Sequence, residues 1–293
     1  MFAGFNLAID LNSFKGMIEW DRYDFYFYKR HGESILANQK AECSGQLKQY
    51  VTDGITDGTK LESDWFPQVE ADIFISHSHN DKDLASALAG WLDKKFNLKC
   101  FIDSHVWGYI DELLEEINKD HSDKQYNSSG GYTYDHKKCN IVASHVNMML
   151  CMALQKMIDK TEAVFVLNTE NSIKKYADIY DKSTYSPWIY SEIVCTQIVR
   201  SKKLSEYRKG ENIIYYSESQ AEINNSYQAA YEVSLDHLKD INTNKLIEWV
   251  QNWSNVKNKE DRYSLDELYK ITYPKKVEKL ISVHNSINSI ILG

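Results

Sequence analysis

The chain of 293 residues is 43% hydrophobic and 13% aromatic and has only three prolines, a composition that excludes an intrinsically disordered protein. Its formal net charge of -8, without a strong basic stripe, argues against nucleic acid as a partner. Five scattered cysteines without a CxxC pair argue against a disulfide framework and a cysteine zinc site.

The first zone, residues 1–68, is expected to be an N-terminal extension of the main domain. Its aromatic run from Trp20 to Tyr28 predicts one or two strands, and a short helix is expected near residues 46–51. The pairs Asp53-Gly54 and Asp57-Gly58 predict turns before the main domain begins.

The middle zone, residues 69–240, alternates short apolar strands with amphipathic helices. β-Branched and aromatic runs predict strands at residues 71–76, 99–103 and 163–167. Apolar residues at helical spacing predict helices at 84–92, 111–117 and 146–157, and from Ser186 to about Arg200. The expected N-caps are Asp81, Ser144 and Ser186, with Pro187 at the first helical position of the last helix.

Two further regions complete the expected organisation. The polar residues 119–140 are interpreted as an inserted loop, longer than compact connections usually are. The final strand is expected at either 213–216 or 231–235, with the second favoured. Residues 241–293 are expected to be a C-terminal helical extension, with helices at 244–253 and 265–271.

This alternation predicts an α/β fold with a flavodoxin-like parallel sheet and helices on both faces. Ligands bind at the carboxyl ends of such strands, which would place Ser76, Asp103 and Asn168 on one rim. Because no leader and no apolar run of bilayer-spanning length is recognised, we expect a cytoplasmic protein without a membrane partner.

Three segments together resemble a Toll/interleukin-1 receptor (TIR) domain, whereas GxxxxGK, GxGxxG, GxSxG and HExxH motifs are missing. The segment ADIFISHSHND at 71–81 resembles the family's opening strand and loop, and CFID at 100–103 resembles the strand before its BB loop. SPWIYSE at 186–192 resembles the segment in which a tryptophan precedes a catalytic glutamate by four residues. The resemblance covers roughly residues 70–205.

The resemblance implies an enzyme that cleaves the nicotinamide-ribose bond of NAD⁺ and makes an ADP-ribose-type signal, cyclic or conjugated. Glu192 would be catalytic, and the substrate-binding residues would be Ser76, His77, Asp103, Trp107 and Trp188. NAD⁺ is then the substrate, with no separate cofactor and no metal. Homo-oligomerisation on activation and a phage-derived trigger are also implied.

Several features differ from receptor-type TIR domains. The loop Ser104–Tyr109 lacks the usual proline-glycine character, and the insertion and both extensions are additional. They resemble more closely the bacterial TIR enzymes of anti-phage systems such as Thoeris.

The chemistry assigned to Glu192 also has an independent reason. Breaking the bond between nicotinamide and ribose builds positive charge on the sugar, which a nearby carboxylate stabilises where water is excluded. Nicotinamide leaves as a neutral molecule and needs no general acid. Trp188 and Glu192 share a helical face at i and i+4, so the indole could form part of the pocket wall.

Each of these residues also has a purely structural interpretation. Glu192 could be a solvated helix acid. Trp188 and Trp107 could serve packing or a subunit contact. Ser76, His77 and Asp103 could cap or anchor local structure. The alternative functions are a non-catalytic TIR interaction module and a nucleoside deoxyribosyltransferase-like enzyme.

Overall fold

The computed structural model describes residues 1–41, 50–52, 55–107, 110–126, 130–176, 179–208, 229–257, 259 and 263–274. The strands are β1 (Ala3–Leu7), β2 (Val51–Thr52), β3 (Ile55–Thr56), β4 (Ile73–Ser76), β5 (Cys100–Phe101), β6 (Lys124–Tyr126), β7 (Tyr132–Tyr134), β8 (Ala163–Leu167), β9 (Lys174–Tyr176), β10 (Tyr180–Thr184), β11 (Tyr231–Glu232) and β12 (Lys239–Ile241). The helices are α1 (Leu11–Met17), α2 (Phe25–Ala41), α3 (Gly58–Trp65), α4 (Lys82–Phe96), α5 (Asp103–Val106), α6 (Ile110–His121), α7 (His136–Lys160), α8 (Pro187–Ile198), α9 (Ser205–Arg208), α10 (Thr243–Ser254) and α11 (Ser264–Thr272).

The central sheet has five parallel strands in the order β12-β1-β8-β4-β5, and helices flank it. Its strands are short and apolar, and β8 is buried along its whole length, as expected for a sheet covered on both faces. The expected α/β class with a parallel sheet is therefore confirmed, and the architecture is consistent with a flavodoxin-like fold.

The N-terminal segment is part of this sheet, which corrects the expected extension over residues 1–68. Strand β1 pairs in parallel with β8 on one side and with β12 on the other. The three strands β5-β4-β8 follow the 2-1-3 order that begins a flavodoxin-like sheet, and β1 occupies the next position. A domain boundary at 68/69 would remove an inner strand.

The aromatic run from Trp20 to Tyr28 does not form strands, because from Phe25 onward it belongs to helix α2. Helix α2 packs against α4, and the two backbones meet at Gly32 and Gly90. The helix expected at 46–51 lies mostly outside the described residues, and Val51 is in strand β2.

The turn expected at Asp53-Gly54 also lies outside the described residues. At the other expected turn, Asp57 is the N-cap of α3, and its side chain accepts a hydrogen bond from the Lys60 amide.

The interpretation of residues 119–140 as one inserted loop is wrong. Helix α6 extends to His121, strands β6 and β7 form an antiparallel hairpin, and α7 begins at His136. The N-cap of α7 is Asp135, which accepts from the Lys138 amide at 3.0 Å. Ser144, expected to be that cap, lies inside the helix and donates to the Asn140 carbonyl at 2.7 Å.

The last strand of the sheet is β12, and not the favoured segment 231–235. Tyr231–Glu232 instead pairs antiparallel with β10 in a separate three-stranded sheet. The alternative at 213–216 lies outside the described residues. The two helices expected near the C-terminus are confirmed as α10 and α11.

The C-terminal helices complete the core. Trp249 of α10 stacks on Phe96 of α4 with ring centroids 3.8 Å apart. Tyr269 of α11 lies parallel to Phe5 of β1 and makes an edge contact with Phe2. These ring contacts join α10 to α4 and α11 to the β1 segment, so both C-terminal helices contribute apolar side chains to the core.

Helix α7 has the length and composition of a membrane-crossing segment, which the sequence was not expected to contain. Of its most apolar 18-residue window, 44% is buried inside the fold. Core helices of soluble proteins can have the same length and apolar composition. Helix α7 packs against α3, α6 and α8.

Candidate active site

The chain changes direction across the sheet between strands β4 and β8. From the carboxyl end of β4 the chain continues to β5 at one edge, whereas from β8 it continues to β12 at the other. The chain thus leaves the neighbouring strands β4 and β8 toward opposite edges of the sheet, and their carboxyl ends form a topological switch point. Ligands bind at such points in open α/β sheets. Ser76 is the last residue of β4 and pairs with Val166 of β8.

Helix α8 brings Glu192 to the carboxyl end of β4. The Ser186 hydroxyl accepts from the Ile189 amide and Pro187 occupies the first turn, as the sequence predicted. Glu192 is only 3% exposed, so it is not the solvated helix acid of the structural interpretation. The Ser76 hydroxyl donates a hydrogen bond to Glu192 Oε2, which ties α8 to the end of β4.

Burial raises the pKa of Glu192 well above that of an exposed glutamate. The negative charge of Asp103 raises this pKa further, and the hydrogen bond from Ser76 partly opposes both effects. The carboxyl group therefore keeps its proton to higher pH than an ordinary glutamate. A buried carboxyl with a raised pKa beside a second acid is a common feature of active sites.

A buried histidine lies beside Asp103. His77 follows Ser76, its Nε2 lies 3.0 Å from Ser104 Oγ, and its Nδ1 lies 3.9 Å from Asp103 Oδ1. Burial lowers the pKa of His77 to about 4, against the opposing charge of Asp81. The imidazole is therefore neutral at physiological pH and serves as a hydrogen-bonding group rather than a cation.

His105 is a second neutral imidazole that sequence reasoning did not identify. Its Nε2 lies 3.0 Å from Ser86 Oγ of α4, and burial lowers its pKa to about 4. Only its position two residues after Asp103 could have indicated a role.

A polar network joins the loops that follow β4 and β8. Asp81 occupies the N-cap position of α4, as predicted, but its side chain makes no capping hydrogen bond. It accepts instead from Thr169 Oγ1 at 2.5 Å and from Asn171 Nδ2 at 2.8 Å. The loops after β4 and β8 are thus held together, and sequence spacing gave no signal for these contacts over 88 and 90 positions.

The structure brings together Ser76, His77, Asp103 and Glu192 from the predicted set. Trp107 is 2% exposed and packs edge-on against Phe101 and Phe66, so in this structure it is a core residue and does not stack on a ligand. This packing takes the place of the expected substrate contact of Trp107.

Trp188 is half-buried against the core one turn before Glu192 on α8. Its buried Nε1 has no hydrogen-bond partner among the described residues. A buried donor without a partner is costly to the fold, and Trp107 Nε1 is in the same situation.

The chain matches no protein-family model, no curated protein and no solved structure. Within the part of the chain that the structure describes, no three or more histidine, cysteine, aspartate or glutamate side chains are grouped to hold a metal ion. A buried acid, a hydroxyl donor and neutral imidazoles at the strand ends are suited to binding and cleaving a polar organic molecule.

Proposed function

We propose that the chain is a TIR-type enzyme that cleaves the nicotinamide-ribose bond of NAD⁺, with Glu192 as its catalytic residue. The observation that carries the proposal is the buried Glu192 carboxyl, hydrogen-bonded by Ser76 at the switch point of a parallel sheet. A glutamate without a function would be expected at the surface, because burying a carboxyl group is costly.

The substrate's charge explains how an acid with a raised pKa can act as an anion. The nicotinamide ring of NAD⁺ is cationic, and a positive charge next to a carboxyl group lowers its pKa. Substrate binding therefore favours the ionised form of Glu192. The carboxylate would then stabilise the positive charge that develops on the ribose as the bond breaks.

The reaction balances without an added oxidant or reductant. The electron pair of the C1′–N1 bond leaves with nicotinamide, which becomes neutral, and a nucleophile bonds to C1′. If the nucleophile is water, its proton passes to Glu192 and then to solvent, and the product is ADP-ribose. If it is a nucleophilic atom of the substrate or of a second molecule, the product is a cyclic isomer or a conjugate.

The biological setting belongs to the same proposal. The resemblance to bacterial anti-phage TIR enzymes of the Thoeris type suggests a cytoplasmic enzyme that makes a nucleotide signal, assembles into a homo-oligomer and responds to a phage-derived trigger. The same residues could instead serve a nucleoside deoxyribosyltransferase-like reaction, and a non-catalytic TIR module would have neither activity.

One experiment separates these three functions. Purified protein is incubated with NAD⁺, or with a deoxynucleoside and a free base, at low and high protein concentration, and the products are identified by mass spectrometry. The proposal expects nicotinamide and an ADP-ribose-type product from NAD⁺ alone. Base exchange on the deoxynucleoside, or no product under any condition including lysate from phage-infected cells, would contradict it.

A further inference from the structure

A row of residues in register runs across the sheet from the candidate catalytic site. Ser76 of β4 pairs with Val166 of β8, Val166 pairs with Asn6 of β1, and Asn6 pairs with Asp240 of β12. Paired residues of neighbouring strands project to the same side of a sheet. Asn6 and Asp240 therefore lie on the side on which Ser76 contacts Glu192, close to the carboxyl ends of their strands.

The far part of this row consists of polar side chains joined by hydrogen bonds. Asn168 Nδ2 donates to Asn6 Oδ1 at 2.9 Å, and Asn6 Nδ2 donates to Asp240 Oδ1 at 2.7 Å. Asn6 is 8% exposed, whereas Asp240 is exposed. The buried amide thus orients an accessible carboxylate at the rim.

A positive charge is fixed at the same place. Lys245, in the first turn of the twelve-residue helix α10, donates to the Asp240 carbonyl at 2.7 Å. A carboxylate suits the paired hydroxyls of a ribose, and an ammonium group suits a phosphate. The two groups together match one half of a dinucleotide.

The separation of the two sites also fits this ligand. Three interstrand steps separate Ser76 from Asp240, which corresponds to about 14 Å. A pyrophosphate that links two riboses can extend over a distance of this order. One ribose would lie at Glu192 and the other at Asp240.

We propose that Asn168, Asn6, Asp240 and Lys245 form a subsite for the adenosine-side ribose and phosphate of the dinucleotide. The inference rests on the proposed function for the identity of the ligand, but it concerns binding and not bond cleavage. It assigns a role to strand β1, because β1 supplies the amide that positions the Asp240 carboxylate.

The test measures binding of AMP and ADP-ribose by titration calorimetry on the full chain. Neither ligand contains nicotinamide, so binding does not depend on catalysis. Asp240→Asn keeps an oxygen that can accept from Asn6 Nδ2, but it removes the negative charge that strengthens hydrogen bonds from the ribose hydroxyls. Lys245→Met removes the ammonium group. Asp236→Ala is the matched control, because Asp236 is an exposed acid just before the amino end of β12.

We expect Asp240→Asn and Lys245→Met each to weaken both ligands about tenfold, the loss of one charge-assisted hydrogen bond, with Asp236→Ala unchanged. Melting temperatures near that of the wild type would show that the variants are folded. No binding of either ligand to the wild type at millimolar concentration, or equal affinities in all variants, would overturn the subsite.

The subsite and the proposed function can fail separately. If the protein cleaves NAD⁺ but Asp240→Asn does not change its AMP affinity, the proposed function stands and the subsite is wrong. If AMP binding depends on Asp240 but the protein does not cleave NAD⁺, the subsite stands and the proposed function is wrong.

Discussion

Ser76 donates a hydrogen bond to Glu192 across 116 positions of sequence, and both side chains are buried. The contact joins the end of β4 to helix α8 at the switch point of the sheet. The acid in this contact, Glu192, is buried, and the burial of a carboxyl group is costly to the fold. Proteins commonly keep such locally unfavourable groups where function requires them.

Glu192→Gln is expected to stabilise the fold at neutral and alkaline pH. Because the folded-state pKa of Glu192 is raised, the wild type loses stability as pH rises from about 4.5, its unfolded value, through the folded pKa. Glutamine cannot ionise, so the variant avoids a loss of about 1.4 kcal/mol per pH unit in that interval. Chemical denaturation from pH 4 to pH 9 measures the difference, and a difference independent of pH would contradict the raised pKa.

Asp103→Asn is expected to shift the acidic limb of the activity profile to lower pH. Asp103 is the charged neighbour that raises the pKa of Glu192, so its neutralisation lets Glu192 ionise more easily. The measurement is kcat/KM for NAD⁺ against pH. Asp236→Asn, an exposed acid outside the site, is the control and should leave the profile unchanged.

Ser76→Ala is expected to shift the same limb in the opposite direction. The hydroxyl stabilises the ionised carboxyl group, so its removal raises the pKa of Glu192 further. Threonine at this position retains the hydroxyl and should restore much of the wild-type profile. If Ser76→Ala and Asp103→Asn moved the acidic limb of the pH profile in the same direction, the opposing effects assigned to Ser76 and Asp103 on the pKa of Glu192 would be wrong.

Gly32→Ala and Gly90→Ala are expected to destabilise the fold. A Cβ at Gly32 would overlap the Ser86 carbonyl, and a Cβ at Gly90 would overlap the Tyr28 carbonyl, so α2 and α4 would have to separate. The expected cost is about 1–3 kcal/mol, typical of overpacking. Thermal or urea denaturation measures it.

Gly16→Ala is the control for these two variants. A Cβ at Gly16 has no neighbour within 4 Å, and the residue lies in helix α1. Because alanine favours the helix, stability should stay the same or rise by up to ~1 kcal/mol. Equal effects of all three substitutions would argue against the close approach of α2 and α4.

The sequence predicted the elements whose own pattern determines them. Strand β8 was predicted at its observed bounds because an uninterrupted apolar run is typical of a buried parallel strand. The start of α8 was predicted because Ser186 and Pro187 are favoured there by local sterics and hydrogen bonding. The grouping of Ser76 and Glu192 followed from the resemblance, with the parallel sheet placing Ser76 on the rim.

Elements that depend on distant partners were missed. Strand β12, Lys-Asp-Ile, has a polar edge-strand sequence that shows no strand pattern, and it is recognisable only through its pairing with β1. The aromatic side chains before and within α2 favoured strands by propensity, but burial at Phe25, Tyr28, Gly32 and Leu36 follows a helical period. Trp107 was expected at a ligand because no local signal distinguishes a core indole from a binding one.

The decisive measurement for the role of Glu192 is the rate of nicotinamide release from NAD⁺ by the wild type and by Glu192→Gln, made on equally folded proteins. Glu248→Gln, an exposed acid on α10, serves as the control substitution. We expect release by the wild type and the control, and at least a hundredfold slower release by Glu192→Gln, the order of loss on removing an electrostatic stabiliser of a transition state. Release by Glu192→Gln at the wild-type rate would show that Glu192 is not catalytic.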